Sequence, residues 1–125
     1  MIKTKRIYDA REESDGTRIL ITRKWPIGQK KDRFDEWIRD LSPDEDILNK
    51  WDESKKTDED WKRYRVKYLP QMKLSEAVNK IEELRHRSKN GEIITLLCYC
   101  ESGEHCHRYI IKSLIEGSFT AIESD

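Results

Sequence analysis

The sequence contains few of the residues that mark secreted or disulfide-bonded proteins. Its 125 residues include three cysteines, five glycines and three prolines. The cysteines all lie within residues 98–106, which is too few and too close together for the disulfide framework of a small secreted domain. We therefore expect a protein of a reducing compartment, and we predict that it is cytoplasmic.

The sequence also lacks net charge and long apolar runs. Its 25 basic residues balance 25 acidic ones, so the net charge does not support nucleic acid as a partner. No run approaches the roughly 18 apolar residues that a membrane-spanning helix needs, and residues 1–6 lack the apolar segment of a signal peptide. The sequence thus predicts no membrane partner, and it leaves the oligomeric state open.

The residues that are present favour a folded domain. Although 40% of the residues are charged and the mean hydropathy is -0.95, four tryptophans and five tyrosines provide material for a core. A chain of this length is in the usual size range for one domain. We predict a single α/β domain over residues 1–125.

Hydrophobic periodicity predicts the strands and helices of this domain. Short β-type runs occupy residues 2–9 and 18–22, and the longest apolar run, residues 93–99, is typical of a central strand that is covered on both faces. Apolar residues at helical spacing predict helices over residues 32–41, from a cap at Ser42 through Trp51, from Thr57 to an interruption at Pro70, from Leu74 to a stop at Asn90-Gly91, and over residues 110–115 before Gly117. Residues 52–60 are predicted to be a polar linker. The pattern indicates a small open sheet, at least partly parallel and flanked by helices.

The segment from Cys98 to Arg108 is the best candidate for a functional site. It joins the end of the predicted central strand to the start of the last helix, and open α/β sheets bind ligands at the carboxyl ends of their strands. The helix start and Arg108 would stabilise a thiolate on Cys106, while His107 exchanges a proton near neutral pH. This interpretation predicts Cys106 as a nucleophile, His107 as an acid or base and Arg108 as an anion-binding residue.

Two other interpretations of the same segment stay open. In the first, Cys98 is a core residue and Arg108 pairs with a carboxylate such as Glu101 or Glu104. In the second, zinc is bound by Cys98, Cys100, Cys106 and either His105 or His107. The ligand types suit zinc, but the cysteine spacing is not the usual paired pattern, so we predict no resident cofactor and keep zinc as a minority alternative.

Residues after the second predicted strand supply further ligand-binding candidates. Arg18, Arg23 and Trp25 lie at or just past this strand, and they project toward the same edge if it neighbours residues 93–99. An arginine beside an aromatic ring can hold a phosphate or stack on a base. Glu101, from the loop after the central strand, completes the predicted ligand-binding set.

Several separate motifs resemble one known family. They are Tyr8-Asp9, Arg18-Ile-Leu-Ile-x-Arg23-x-Trp25-Pro26-x-Gly28, Asp35-Glu36-Trp37, Leu41-Ser42-Pro43, and Leu96-Leu97-Cys98-Tyr99 with Cys106-His107-Arg108. In this order, over about residues 5–116, they resemble family 488 of the domains of unknown function. The resemblance implies a small α/β domain of bacteria and archaea with no established reaction. It places the family's motif positions at Arg23, Trp25, Pro26, Gly28, Cys98, Cys106, His107 and Arg108.

The departures from the family pattern affect two hypotheses. Thr22 and Ile27 stand where such proteins tend to have Asp and Arg, which weakens the Trp-Pro turn as a phosphate-binding element. Cys100 is outside the core motif, which counts against zinc. We therefore predict a thiol-based or anion-binding site for a small anionic ligand, nucleotide-like or phosphorylated. The alternative is a non-enzymatic module, zinc-stapled or an adaptor for protein or nucleic acid, that uses the aromatic-rich middle helices as its contact face.

Overall fold

The structure, a computed structural model, describes residues 1–25, 28, 30–99 and 105–117. The strands within these described residues are β1 (Ile2–Arg6), β2 (Thr17–Leu20), β3 (Glu36–Trp37) and β4 (Ile94–Cys98). They form one sheet in the order β1-β4-β2-β3, and each neighbouring pair is parallel. The predicted α/β class is confirmed, and the sheet is parallel across all four strands.

In the described residues, four α-helices accompany the sheet: α1 (Glu45–Glu53), α2 (Asp58–Gln71), α3 (Ser75–Lys89) and α4 (His107–Glu116). The predicted start of α2 is confirmed, because Thr57 and Asp60 each accept a hydrogen bond from the other's backbone N–H. Gly91, with a φ of 98°, supplies the left-handed turn expected after α3. In the described part of the chain, no helix is long and apolar enough to cross a membrane.

The core lies mainly between one face of the sheet and the helices. All five residues of β4 are buried, as expected for a strand with neighbours on both sides. Because side chains alternate along a strand, Ile94 and Leu96 face the helix-covered side while Leu97 faces the opposite side. A smaller cluster covers that opposite face, and it contains Ile7, Leu20, Phe34, Leu97 and the partly buried Trp37 and Tyr99.

The predicted helix over residues 32–41 is wrong. The segment forms a 3₁₀ turn (Lys31–Arg33), strand β3 and a second 3₁₀ turn (Arg39–Leu41). Its apolar residues divide between the two faces of the sheet: Phe34 packs in the smaller cluster, whereas Ile38 and Leu41 pack in the main core. The backbone of this segment also binds β2, since the N–H of Ile38 donates to the carbonyl of Leu20.

The structure also corrects the boundaries of α1 and α2. The N-cap of α1 is Asp44 rather than Ser42, whose hydroxyl donates to the carbonyl of Arg39 instead. The predicted linker is shorter than residues 52–60, because α1 continues to Glu53 and α2 begins at Asp58. Pro70 lies within the last turn of α2, one residue before the helix ends.

Candidate functional site

Two buried cysteines meet at the carboxyl edge of the sheet. Cys98 is the last residue of β4, and Cys106 is the N-cap of α4. Their Sγ atoms are 2.8 Å apart without a disulfide bond, and the two residues are 1% and 2% exposed. Since Cys98 alternates with Leu96 and Ile94, it lies on the helix-covered side, where α4 begins. Strand and helix together thus build one dithiol pair.

His107, the first residue of α4, places a ring nitrogen beside this pair. Its Nε2 atom is 2.7 Å from the carbonyl oxygen of Ile21, just past β2. A carbonyl oxygen only accepts hydrogen bonds, so Nε2 carries a proton and donates it. In the neutral ring Nδ1 is then unprotonated, and it lies 4.0 Å from Sγ of Cys106. His107 therefore presents a base to the thiol.

Arg108 contributes a buried positive charge to the cluster. The residue is 2% exposed, and its guanidinium donates to Sγ of Cys98 at 2.9 Å and to the Tyr109 hydroxyl at 3.1 Å. Burial lowers the pKa of Arg108, but negative charge on Cys98 and Cys106 outweighs it, so that the pKa lies above its usual value. By the same electrostatics, Arg108 favours a negative charge on the dithiol pair.

Tyr68 of α2 lies beside His107 and the two cysteines, on the side of the sheet that the helices cover. The hydroxyl of this fully buried residue donates to the carbonyl of Leu41 at 2.5 Å, and its ring stands edge-on to His107 with 6.0 Å between centroids. Burial raises the pKa of Tyr68, and the nearby charges of Cys106 and Cys98 raise it further. Tyr68 therefore remains a neutral phenol beside the pair and does not compete for its charge.

The dithiol pair and His107 line a cavity of about 870 Å³. Other lining residues come from the segment after β2, from α1 and α2, and from His105 just before α4. A volume of this size accommodates a small-molecule ligand. The cavity thus connects the sulfur cluster to a binding space formed by several elements.

Aromatic rings form the outer wall of this cavity. Trp61 stacks on Tyr64 with centroids 4.7 Å apart and on His105 with centroids 5.1 Å apart. Trp51 meets Trp61 at an interplanar angle of 59°. The His105 ring also lies 3.3 Å from a carboxylate oxygen of Asp58. The wall is therefore a continuous set of rings contributed by α1, α2 and the residue that precedes Cys106.

Basic side chains border the cavity on the sheet side. The guanidinium of Arg23 donates to the carbonyl of Pro43 at 2.8 Å and lies 3.5 Å from the Asp44 carboxylate. The ammonium of Lys24 lies 3.4 Å from Glu45, and its side chain is 74% exposed. Arg23 is therefore held against the turn before α1, whereas Lys24 is accessible from solvent.

The structure brings together some of the residues singled out in the sequence and separates others. Cys106, His107 and Arg23 line the cavity, and Arg108 lies behind Cys98. Trp25 packs edge-on against Phe34 and Trp37 and is not among the described lining residues. Cys100, Glu101 and Glu104 lie outside the described residues, so the predicted contacts of Arg108 with either glutamate do too.

The structure does not bring Arg18 to the site. This fully buried residue pairs in register with Thr95, toward the amino end of β4, and it alternates with Ile19, which faces the helices. Its guanidinium donates to the Asp15 carboxylate at 2.9 Å and to the carbonyls of Asp9 and Arg33. Arg18 therefore binds groups on the opposite face of the sheet, away from the cysteines.

Several residues of the site were not recognised as such in the sequence. The sequence interpretation gives Cys98 to the core or to zinc. It treats Trp51 and Trp61 as apolar positions of the middle helices, which serve as a contact face in the non-enzymatic alternative. Each assignment is compatible with the burial of these residues, but the two helices also turn their rings toward the cavity. The available signal was the set of three aromatic residues at helical spacing in α2, Trp61, Tyr64 and Tyr68.

Comparisons with known proteins give consistent matches. A family model described as "Active DUF488-N3 subclade" matches residues 2–118. The uncharacterized protein YeaO of Escherichia coli K12 is 46% identical over 48 residues, which cover 37% of this chain and 42% of YeaO. The uncharacterized proteins Rv3073c of Mycobacterium tuberculosis and Mb3100c of Mycobacterium bovis are each 25% identical over 118 residues, 93% of this chain and 94% of theirs. No solved structure gives a significant match.

Proposed function

Because this chain belongs to the DUF488 family, in a subclade described as active, we propose that its cavity is a thiol-based site that acts on a small anionic ligand. One observation carries the proposal: two sulfur atoms 2.8 Å apart, one of them 2.9 Å from a buried guanidinium, at the wall of a ligand-sized cavity. A buried positive charge beside a thiol favours the thiolate, which is the nucleophilic form. The site is therefore suited to nucleophilic chemistry.

The proposed step assigns a role to each group in the cluster. Nδ1 of His107 takes one proton from the dithiol pair, and the remaining proton is shared between Cys98 and Cys106. When the shared proton lies on Cys98, the Cys106 sulfur forms a bond to an electrophilic atom of the ligand while the bond to the leaving group breaks. The leaving group takes the proton from His107. Arg108 balances the negative charge of the pair until the bond from Cys106 to the ligand forms.

Alkylation of the thiols tests this proposal. In a Cys100→Ser background, which leaves the pair as the remaining thiols, we expect iodoacetamide to modify Cys106 about five- to tenfold faster than free cysteine near neutral pH. The reason is the larger thiolate fraction of the pair. The modified position is identified by mass spectrometry, and the rate is measured from the loss of unmodified protein.

Two variants make the alkylation test specific. Cys106→Ser should remove the fast modification, and His107→Gln should slow it because the base is lost. A wild-type rate no faster than that of free cysteine, or fast modification that persists in Cys106→Ser, would contradict the proposed nucleophile.

Metal binding is a second candidate function, and one observation favours it. Ligand atoms of Cys98, Cys106 and His107 all lie within 4.8 Å of one another. The bond from Nε2 of His107 to the Ile21 carbonyl is of the kind that orients a histidine ligand, and it leaves Nδ1 for the metal. The contact of Arg108 with Cys98 opposes this function, because a guanidinium beside the sulfur adds positive charge next to a cation.

Metal analysis of protein purified without chelators separates the two functions. Structural or catalytic zinc would be present at one ion per chain, would be lost in Cys98→Ser, and would destabilise the fold on removal. The thiol proposal instead predicts zinc well below one ion per chain and a thermal unfolding temperature that chelators leave unchanged. Stoichiometric zinc that survives dialysis would overturn the thiol proposal.

A further inference from the structure

The cavity has different chemistry on its two sides. Its sheet side carries the dithiol pair together with Arg23 and Lys24, which lie three and four residues after the end of β2. Its outer side is formed by α1 and α2, which contribute the rings of Trp51 and Trp61. A ligand that fills the space therefore meets cationic groups and sulfur at one end and flat aromatic rings at the other.

The aromatic wall offers ring surface to a ligand in the cavity. Trp61 stacks on both Tyr64 and His105, with interplanar angles of 28° and 25°. Tyr64 is buried, but Trp51, Trp61 and His105 retain partial exposure and line the cavity. Stacking on such rings tolerates any nucleobase, since every base has a π face. Trp51, standing at an angle to the stack, borders the same space.

The charges around the cavity limit the ligand further. Lys24 and Arg23 lie near Glu45 and Asp44, which partly offset their charge. On the outer side, carboxylates of α1 and α2 accompany the rings, and Lys56 lies between these two helices in sequence. This near balance of charge disfavours a polyphosphate, whereas carboxylates beside a stacking surface can accept hydrogen bonds from sugar hydroxyls and base amino groups.

We propose that the cavity binds a nucleoside monophosphate. The base packs against Trp51 and Trp61, the carboxylates of α1 and α2 face the sugar and base donors, and the phosphate lies toward Lys24 and Arg23. This inference rests on the proposed function, because it names the ligand class of the same cavity. The volume of about 870 Å³ is sufficient for such a ligand.

Binding calorimetry with defined probes tests the inference. The probes are the adenine, guanine, cytosine and uracil ribonucleoside monophosphates, the matching nucleosides, ribose 5-phosphate and inorganic phosphate. We expect at least one monophosphate to bind, its nucleoside to bind more weakly, and the two probes that lack a base to bind at least about tenfold more weakly than the monophosphate.

Variants distinguish the two ends of the ligand. Trp61→Leu should weaken both the monophosphate and the nucleoside by about tenfold or more, because stacking is lost. Lys24→Gln should weaken the monophosphate by about three- to tenfold and leave the nucleoside unchanged. Val66→Ala, which alters an exposed side chain of α2 that is not among the described lining residues, should change neither affinity. If Trp61→Leu does not fold, Trp51→Leu with the same probes replaces it.

The outcomes separate this inference from the proposed function. If Cys106 alkylates rapidly but no monophosphate binds or slows the alkylation, the ligand class is wrong and the thiol site stands. If a monophosphate binds with the expected variant effects while Cys106 is no more reactive than free cysteine, the ligand class stands and thiol catalysis fails. Equal affinity for ribose 5-phosphate and the monophosphate, or no effect of either tryptophan, would overturn the nucleotide assignment.

Discussion

Replacing Asp15 with asparagine is expected to lower the free energy of unfolding by about 3–5 kcal/mol, the cost of breaking a buried ion pair. Asp15 is fully buried and accepts hydrogen bonds from Arg18 at 2.9 Å and from the backbone of Glu12 at 3.0 Å, and the ammonium of Lys5 lies 3.0 Å from its carboxylate. Asparagine has a similar shape but no charge. The fully buried Arg18 would then keep its positive charge without its carboxylate partner.

Asp15 also makes the free energy of unfolding depend on pH in the acidic range. Burial by itself raises the pKa of Asp15, but the hydrogen bonds from Glu12, Lys5 and Arg18 outweigh it and lower the pKa from 3.8 to about 2. A carboxyl whose pKa is lower in the folded state stabilises the protein above its unfolded pKa. That contribution, roughly 2 kcal/mol, is lost as the pH falls from about 4 to about 2.

Urea unfolding of the wild type and Asp15→Asn at several pH values measures both effects. The variant should be less stable near neutral pH and should lack the Asp15 part of the acid dependence. Asp46→Asn, an exposed carboxylate of α1, is the matched control and should change the free energy of unfolding by no more than about 0.5 kcal/mol. A loss of less than about 1 kcal/mol in Asp15→Asn would contradict the importance of this network.

Arg108→Gln is expected to slow the alkylation of Cys106 by about 10- to 100-fold, in the Cys100→Ser background near neutral pH. The expected size follows from the effect of an adjacent opposite charge on an ionisable group, one to two orders of magnitude in the ionisation equilibrium. Arg108 donates to Cys98, whose Sγ lies 2.8 Å from that of Cys106, so removing the guanidinium should favour the doubly protonated pair.

Two controls separate this electrostatic effect from general destabilisation. Arg108→Lys keeps a positive charge without the planar guanidinium and should restore part of the rate. Arg87→Gln removes a guanidinium that binds Glu36 and Glu92, away from the cysteines, so it should lower stability without changing the alkylation rate. If Arg108→Gln alkylates as fast as the wild type while remaining folded, Arg108 does not stabilise the thiolate.

The sequence predicts the part of the fold that depends on local patterns. The apolar run of β4, the stripe of α3 and the cap at Thr57 each involve neighbouring residues, and the structure has all three. The segment over residues 32–41 has an equally regular spacing. It does not form a helix, because its apolar residues pack on opposite faces of the sheet. This packing is determined by the pairing of β3 with β2 and not by the local spacing of apolar residues.

The sequence predicts where the site lies along the chain, but it does not predict which side chains contact one another there. The strand, loop and helix order correctly placed Cys106 and His107 at the carboxyl edge, because that rule depends on topology alone. The contact between Cys98 and Cys106 depends on where α4 begins relative to β4, and seven intervening residues do not fix it. The aromatic wall likewise depends on how α1 packs on α2.

The role of Arg18 can be predicted from the sequence only in part. Its alternation with Ile19 shows that the two side chains face opposite sides of β2, but the sequence does not state which side the helices cover. The resemblance to other family members marks Arg18 without distinguishing a ligand-binding arginine from a structural one. The structure shows that Arg18 forms an ion pair with the buried Asp15, which identifies Arg18 as a structural residue.

The most direct test of the thiol site is the ultraviolet absorbance of its thiolate as a function of pH, in the Cys100→Ser background. The negative charge that we propose for Cys98 and Cys106 predicts the absorbance of one thiolate per chain already near neutral pH. This absorbance should be lost in Arg108→Gln and in the double variant Cys98→Ser, Cys106→Ser. Absorbance that develops only in the alkaline range where free cysteine ionises would contradict the account.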